Sequence, residues 1–142
     1  VQYGLLLSIN GVMIVLFELA ITQWTQRFDP QRMIAIGYAL SAIGFAITGL
    51  MTSLAGLALT VVIWTIGEMI YAPVTGAYVT NLAPERYRGR YHGMWVMMWS
   101  LGMLVGPALG AFMFERNPAL LWIACGVVGT LGASIALIKP RG

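Results

Sequence analysis

Charged side chains are scarce in this sequence. Asp, Glu, Lys and Arg make up 9% of its 142 residues, against 59% hydrophobic residues. Ordinary soluble domains run at roughly 25% charged and 45–50% apolar. Eight basic and five acidic side chains cannot cover a soluble particle of this size, so a water-facing globule is excluded and the solvent is lipid. The net charge of +3 is too small to indicate a nucleic-acid partner. Cysteine is nearly absent: Cys125 stands alone, forms no internal disulfide and reads as a small buried hydrophobe. Histidine is nearly absent too. The single His92 argues against most metal sites and against a hydrolytic triad, and no cofactor is expected.

What is abundant is long apolar sequence. A hydrocarbon core of about 30 Å takes about 20 residues of helix at about 1.5 Å rise each. Residues 33–67 carry no charge, which is too long for one span and divides at Met51-Thr52-Ser53. Further uncharged runs lie at 91–114 and 117–138, and a first span is interrupted by Glu18. The expected helices are 3–23, 33–51, 55–81, 92–114 and 119–138, an all-α membrane protein with five transmembrane helices and no soluble domain. Seventeen glycines and nine methionines suit close helix packing and adaptable apolar surfaces.

Basic residues orient the spans. Arg27 and Arg32 follow the first helix, Arg86, Arg88 and Arg90 the third, and Lys139 and Arg141 the fifth, while only Arg116 follows the fourth. Alternate sides thus hold seven and one. The N-terminus is expected outside. The loops at 24–32 (with Arg27, Asp29 and Arg32) and 82–91, and the C-terminus, are expected in the cytoplasm, in a multi-pass protein of the plasma or inner membrane. The chain begins at Val1, and an N-out start with five spans suggests a helix lost upstream.

An intramembrane carboxylate is costly, about 3 kcal/mol or more when unpaired, and marks function. Glu68 lies mid-span on the third helix, in a stripe of Trp64, Glu68, Tyr71, Thr75 and Tyr78 spaced four, three, four, three. This reads as the wall of a polar cavity in which Glu68 carries a proton or binds a cation. A structural carboxylate bonded to another helix is the competing reading. Glu18 shares a face with Asn10 and Ile14; it either lines the same cavity or reaches the interface. Pro73, between Gly67 and Gly76, removes a backbone donor at membrane depth, as tolerated where a helix faces protein or a cavity. On the fourth helix Gly102, Gly106 and Gly110 recur every fourth residue with Pro107 among them, first of all a helix-packing face. His92, Trp95 and Trp99 read as interfacial anchors rather than a ligand cage. Arg86, Arg88 and Arg90 read as an orientation signal or as a latch onto helix C-terminal carbonyls.

These residues resemble a known family. Gly67-Glu68-Met69-Ile70-Tyr71-Ala72-Pro73, with Leu82-Ala83-Pro84-Glu85-Arg86-Tyr87-Arg88-Gly89-Arg90-Tyr91, is similar to helix ten and the following loop of a major facilitator superfamily transporter. Trp99-Ser100-Leu101-Gly102 and Gly106-Pro107-Ala108-Leu109-Gly110 resemble its helix eleven. Phe17-Glu18-Leu19 with Thr25-Gln26-Arg27-Phe28-Asp29-Pro30-Gln31-Arg32 resembles helix eight and the loop into helix nine. The third helix lacks the arginine expected of helix four, which favours the C-terminal half. The resemblance implies helices eight to twelve, most of one six-helix bundle, with the N-terminal bundle of the same transporter as the missing partner. Substrate sits at the midplane between two such bundles.

Within the family the similarity is greatest to multidrug-type drug:proton antiporters, which implies proton-coupled efflux of amphipathic compounds. The expected partners are then membrane lipids, a small-molecule substrate and protons. Proton-coupled peptide or solute uptake stays open, because peptide transporters share a similar Gly-Glu and Ala-Pro pattern. So does a non-transporting helical subunit assembling through the glycine face. An enzyme has little support, since no nucleophile pair, metal cluster or phosphate loop is present.

Overall fold

In lipid every backbone N–H and C=O must find its partner within the protein, which leaves helices as the answer for long apolar segments. The computed structural model describes residues 2–138. They form α1 (Gln2–Thr25), α2 (Pro30–Thr48), α3 (Leu54–Leu82), α4 (Arg88–Arg116) and α5 (Pro118–Ala136), with one 3₁₀ turn at Glu85–Tyr87 and no strand among the described residues. All five helices are long and apolar enough to cross a membrane. Lys139 and Arg141, expected on the arginine-rich side, lie outside the described residues.

The helices start where local chemistry permits. Asp29 caps α2 by accepting the Arg32 amide at 3.0 Å, and Pro30 opens the helix. Ser53 caps α3 through the Gly56 amide at 3.1 Å. Asn117 caps α5 through the Ala119 amide at 3.0 Å, and Pro118 follows it. Each satisfies an amide the helix itself leaves free, and proline at the first position forfeits nothing.

Two expected boundaries move. α2 begins at Pro30 rather than 33, so Arg32 lies in its first turn and not in the loop that holds Arg27 and Asp29. α4 begins at Arg88 rather than 92, so Arg88 and Arg90 are helical and Arg86 sits in the 3₁₀ turn. Hydropathy marks the width of the bilayer, whereas the helix continues into the headgroup region.

α2 is the centre of the assembly. It packs along α3 on one side and α5 on the other; α1 lies against α3, and α4 touches α3 and α5 more lightly. Apart from Thr25 and Ala83, the buried residues belong to α2 and α3, and α4 and α5 supply none. Association in lipid depends on close packing rather than on expulsion of water, and α2 meets both neighbours through small residues. At the crossing with α3, a Cβ on Gly67 would lie 2.6 Å from the Gly37 carbonyl oxygen, and one on Gly37 would lie 2.8 Å from the Gly67 carbonyl oxygen. On the α5 side a Cβ on Gly129 would meet Cβ of Ala42 at 2.6 Å.

The Gly102-Gly106-Gly110 face does not do this job here. Nothing lies within 4 Å of a Cβ built on Gly102 or Gly106, and Gly110 meets only a Leu121 methyl at 3.9 Å. Among the described residues the packing role expected there belongs to glycines of α2, α3 and α5. Sequence periodicity reports that a helix has a smooth face, and cannot report which neighbour occupies it.

The helices hold most of their hydroxyls against their own backbone. Ser8, Thr48, Thr75, Thr80, Ser100, Thr130 and Ser134 each donate to the carbonyl four residues back at 2.7–2.9 Å. This satisfies the hydroxyl without a neighbour and loosens the helix slightly.

The same substitution should have opposite effects at two positions of α3. Gly67→Ala forces a methyl against the α2 backbone and should destabilise by about 1–3 kcal/mol. Gly76→Ala meets only the Trp95 ring, at an ordinary 3.5 Å, and should gain up to about 1 kcal/mol of helix propensity. Thermal loss of the helical circular dichroism signal in detergent, compared across both variants, checks the sign at each site.

Candidate functional site

Glu68 projects from the middle of α3 and is half-buried. Asn10 of α1 lies opposite it. The Asn10 side-chain Nδ2 donates to Glu68 Oε2 at 3.2 Å and to Thr65 Oγ1 at 3.1 Å. Thr65 stands one turn before Glu68 and is 0% exposed. An amide, a hydroxyl and a carboxylate from two helices thus meet at membrane depth. Because Asn10 donates both protons of its Nδ2, its own carbonyl oxygen and Glu68 Oε1 remain as acceptors for a third party. Glu18 lies two turns further along α1, half-buried, and takes no part in this network.

The stripe around Glu68 does not form one cavity wall. Trp64 stacks on Phe45 of α2 with centroids 5.3 Å apart and planes 14° apart. Tyr71 packs on Tyr38 of α2 at 4.6 Å. Thr75 returns its hydroxyl to the Tyr71 carbonyl. A 3.6-residue helix gives a four-three-four-three stripe some width, and α1 and α2 divide it between them. Glu68 faces α1, while Trp64 and Tyr71 face α2.

The structure adds a second surface. Trp95 and Trp99 of α4, 6.4 Å apart, join Tyr38, Thr75, Met98 and Met103 around an open cleft of about 410 Å³ between α2, α3 and α4. By sequence these indoles read as interfacial anchors. Three helices bring them to one cleft, which Tyr38 of the Tyr38–Tyr71 pair also lines. His92 continues the same row, 5.6 Å from Trp95, with its Nδ1 3.4 Å from the Thr80 hydroxyl. A further cleft of about 330 Å³ opens at the arginine-rich end between α1 and α3, lined by Thr22, Thr25, Gln26, Tyr78 and Asn81 beside Pro73.

Two residues escaped the sequence reading. Thr65 carried a signal, being three residues from Glu68 and so one turn away on the same face. Tyr38 carried none, since nothing in a sequence pairs a tyrosine on one helix with one on the next. Among the described residues no group of three or more His, Cys, Asp or Glu side chains is placed to hold a metal ion.

Known proteins share this sequence at modest identity. The Na(+), Li(+), K(+)/H(+) antiporter of Planococcus maritimus is 23% identical over 97% of this chain and 31% of its own length. The uncharacterized MFS-type transporter YqjV of Bacillus subtilis is 26% identical over 80% of the chain and 27% of its own. The multidrug resistance protein MdtH of Edwardsiella ictaluri is 27% identical over 78% and 29%. The chain therefore spans about three-tenths of the length of these relatives. No solved structure matches it. The sequence description of the Major Facilitator Superfamily matches residues 1–141, and five helices are long and apolar enough to cross a membrane: this chain belongs to the major facilitator superfamily.

Proposed function

We propose that this chain is the C-terminal part, helices eight to twelve, of a proton-coupled exporter of amphipathic, drug-like compounds. The observation that carries the reading is the Glu68 carboxylate, held at membrane depth by Asn10 from a neighbouring helix. A carboxylate there is retained at a cost and is the natural place for a proton or a cation. When Glu68 is ionised it attracts a cationic substrate; when it is protonated the attraction is gone and the substrate leaves. Each exchange moves one charge for another, which couples export to the proton gradient.

The aromatic and methionine-lined cleft at Trp95 and Trp99 supports drug-like substrates, because indole faces and thioethers accommodate flat apolar rings of varied shape. Part of the support comes from relatives named multidrug resistance protein MdtH. One observation favours a second reading. Glu68 and the Thr65 hydroxyl one turn from it offer oxygen ligands to a hard monovalent cation, and one relative is named a Na(+), Li(+), K(+)/H(+) antiporter. Both readings use Glu68 and differ in what displaces the proton. The arginine-rich end is assigned to the cytoplasm on the excess of basic residues there.

In the full-length protein, Glu68→Gln should abolish proton-coupled export of a lipophilic cation while membrane expression stays unchanged. Undiminished export by that variant removes Glu68 from the mechanism, and sodium-driven proton release without drug export moves the assignment to the second reading. Trp99→Ala should weaken transport of aromatic substrates by about 0.5–1.5 kcal/mol of lost contact, read as a raised KM with Glu68 intact. In a Cys125→Ala background, a cysteine at Ser53 should react with an impermeant maleimide in intact cells, and one at Arg88 only after permeabilisation. The reverse pattern inverts the topology.

A further inference from the structure

α1 and α3 carry one charged side chain each, Glu18 and Glu68. The two helices run in the same direction and nearly in register. Asn10 bonds to Thr65 and Glu68; further along the pair, Thr22 and Tyr78 together line the cleft at the arginine-rich end. Glu18 lies two turns beyond Asn10, about 12 Å along the axis, which sets it level with Pro73 and Val74 where that cleft begins. Its direction around α1 is fixed too. At about 100° per residue, Glu18 falls between Thr25 and Thr22 and within about 40° of each. Both of these line the cleft, and Thr25 is buried. Glu18 is therefore half-buried on the side of α1 that turns to α3, between the Asn10 network and the cleft.

The cleft has the chemistry of a water path. It holds about 330 Å³ beside Thr22, Gln26, Tyr78 and Asn81, whose side chains make no hydrogen bond to another described residue. Polar groups at this depth need partners whether lipid or the rest of the transporter closes the mouth, and a polar cavity of this size admits water. Deeper in, Pro73 leaves the Met69 carbonyl without its helical donor, a further acceptor one residue from Glu68. Beyond Glu68, α3 carries no charge. Its titratable side chains there are Tyr71, packed on Tyr38 of α2, and Tyr78 at the cleft. At the rim Asp29 is engaged in capping α2, and Arg27 precedes it in the loop. Glu18 is thus the one carboxylate on these two helices between Glu68 and the arginine-rich end.

We infer that Glu18 is a proton relay, connecting Glu68 to the arginine-rich end through the seam between α1 and α3. The inference rests on the export reading, in which an arriving cation displaces the proton of Glu68. That proton passes to water beside Glu68, water hands one to the Glu18 carboxylate, and Glu18 gives it up to water in the cleft. Glu68 is left ionised against the cation, and Glu18 ends in the state in which it began. The separation from Glu68, about 9 Å along the axis, is too long for direct transfer and is crossed by water. A route inside one bundle lets the proton leave while substrate fills the space between the two bundles.

The test follows proton release from the full-length protein in weakly buffered detergent, with a pH-indicator dye, as tetraphenylphosphonium is added by stopped flow. The wild type should release protons in proportion to the cation bound. Glu18→Gln should release the same amount about a hundredfold more slowly, the low end for a positioned proton-transfer group, with its affinity for the cation unchanged. Glu18→Asp should restore most of the rate. Unslowed release by Glu18→Gln overturns the relay. A lost amplitude in that variant overturns it too, because Glu18 then holds the displaced proton itself. The export reading fails separately: release absent from the wild type, or undiminished in Glu68→Gln, removes Glu68 from coupling and the relay with it. If Glu18→Gln does not fold, Ala77→Leu at the exposed edge of the cleft decides by the same rate. Slowed release supports the path, and unslowed release overturns it.

Discussion

The contact on which the remainder depends is the backbone-to-backbone approach of α2 and α3 at Gly37 and Gly67. In a bilayer, lipid tails compete for every apolar surface, so two helices stay together only if they fit more closely to each other than to lipid. Removing two β-carbons lets carbonyl and Cα surfaces meet, and the aromatic pairs Tyr38–Tyr71 and Phe45–Trp64 then close the seam above and below. The rotation of α3 about its own axis follows from this. With Tyr71 and Trp64 turned to α2, Glu68 is left facing α1 and Asn10. A polar group is thus positioned by apolar packing on the other side of its helix.

The same arrangement explains why the chain has an unequal interior. α2 is enclosed by α3 and α5, and the buried side chains gather there. α1 and α4 stand at the rim, each joined to α3 by fewer contacts. The polar network, both clefts at the arginine-rich half and the arginine turn all involve these rim helices. Chemistry is placed where the packing is thinnest, and rigidity where α2 runs.

Much of the architecture was legible in the sequence because lipid imposes a one-dimensional rule: length and hydropathy decide a span. Helix count and the position of Glu68 at mid-depth followed directly, and the capping residues Asp29, Ser53 and Asn117 explain the observed starts. The azimuth of each helix was not legible. Trp64, Tyr71 and Glu68 share a stripe in sequence yet meet different helices, and Gly102 and Gly106 present a smooth face with no neighbour among the described residues. Which side of a helix meets which partner depends on pairs such as Gly37 with Gly67 and Tyr38 with Tyr71, separated by thirty-odd residues and carrying no mutual pattern. The Asn10–Thr65–Glu68 network combined both kinds of information. Asn10 and Glu68 were each visible as rare polar groups at membrane depth, whereas their meeting was visible only in space.

Pro73 and Thr75 together have a mechanical meaning. Proline leaves the Met69 carbonyl without its donor four residues on, and the Thr75 hydroxyl draws on the Tyr71 carbonyl two residues later. Consecutive turns of α3 are therefore held by a weakened ladder, just below Glu68 and just above the Tyr78 and Asn81 cleft. Such a segment has a lower bending stiffness than the helix on either side of it. Above this segment α3 is clamped to α2 by Gly67. A force applied at the arginine turn would then be absorbed as curvature at residues 69–75 before it reached the carboxylate, so the two ends of one continuous helix are free to behave as two rods on a compliant joint.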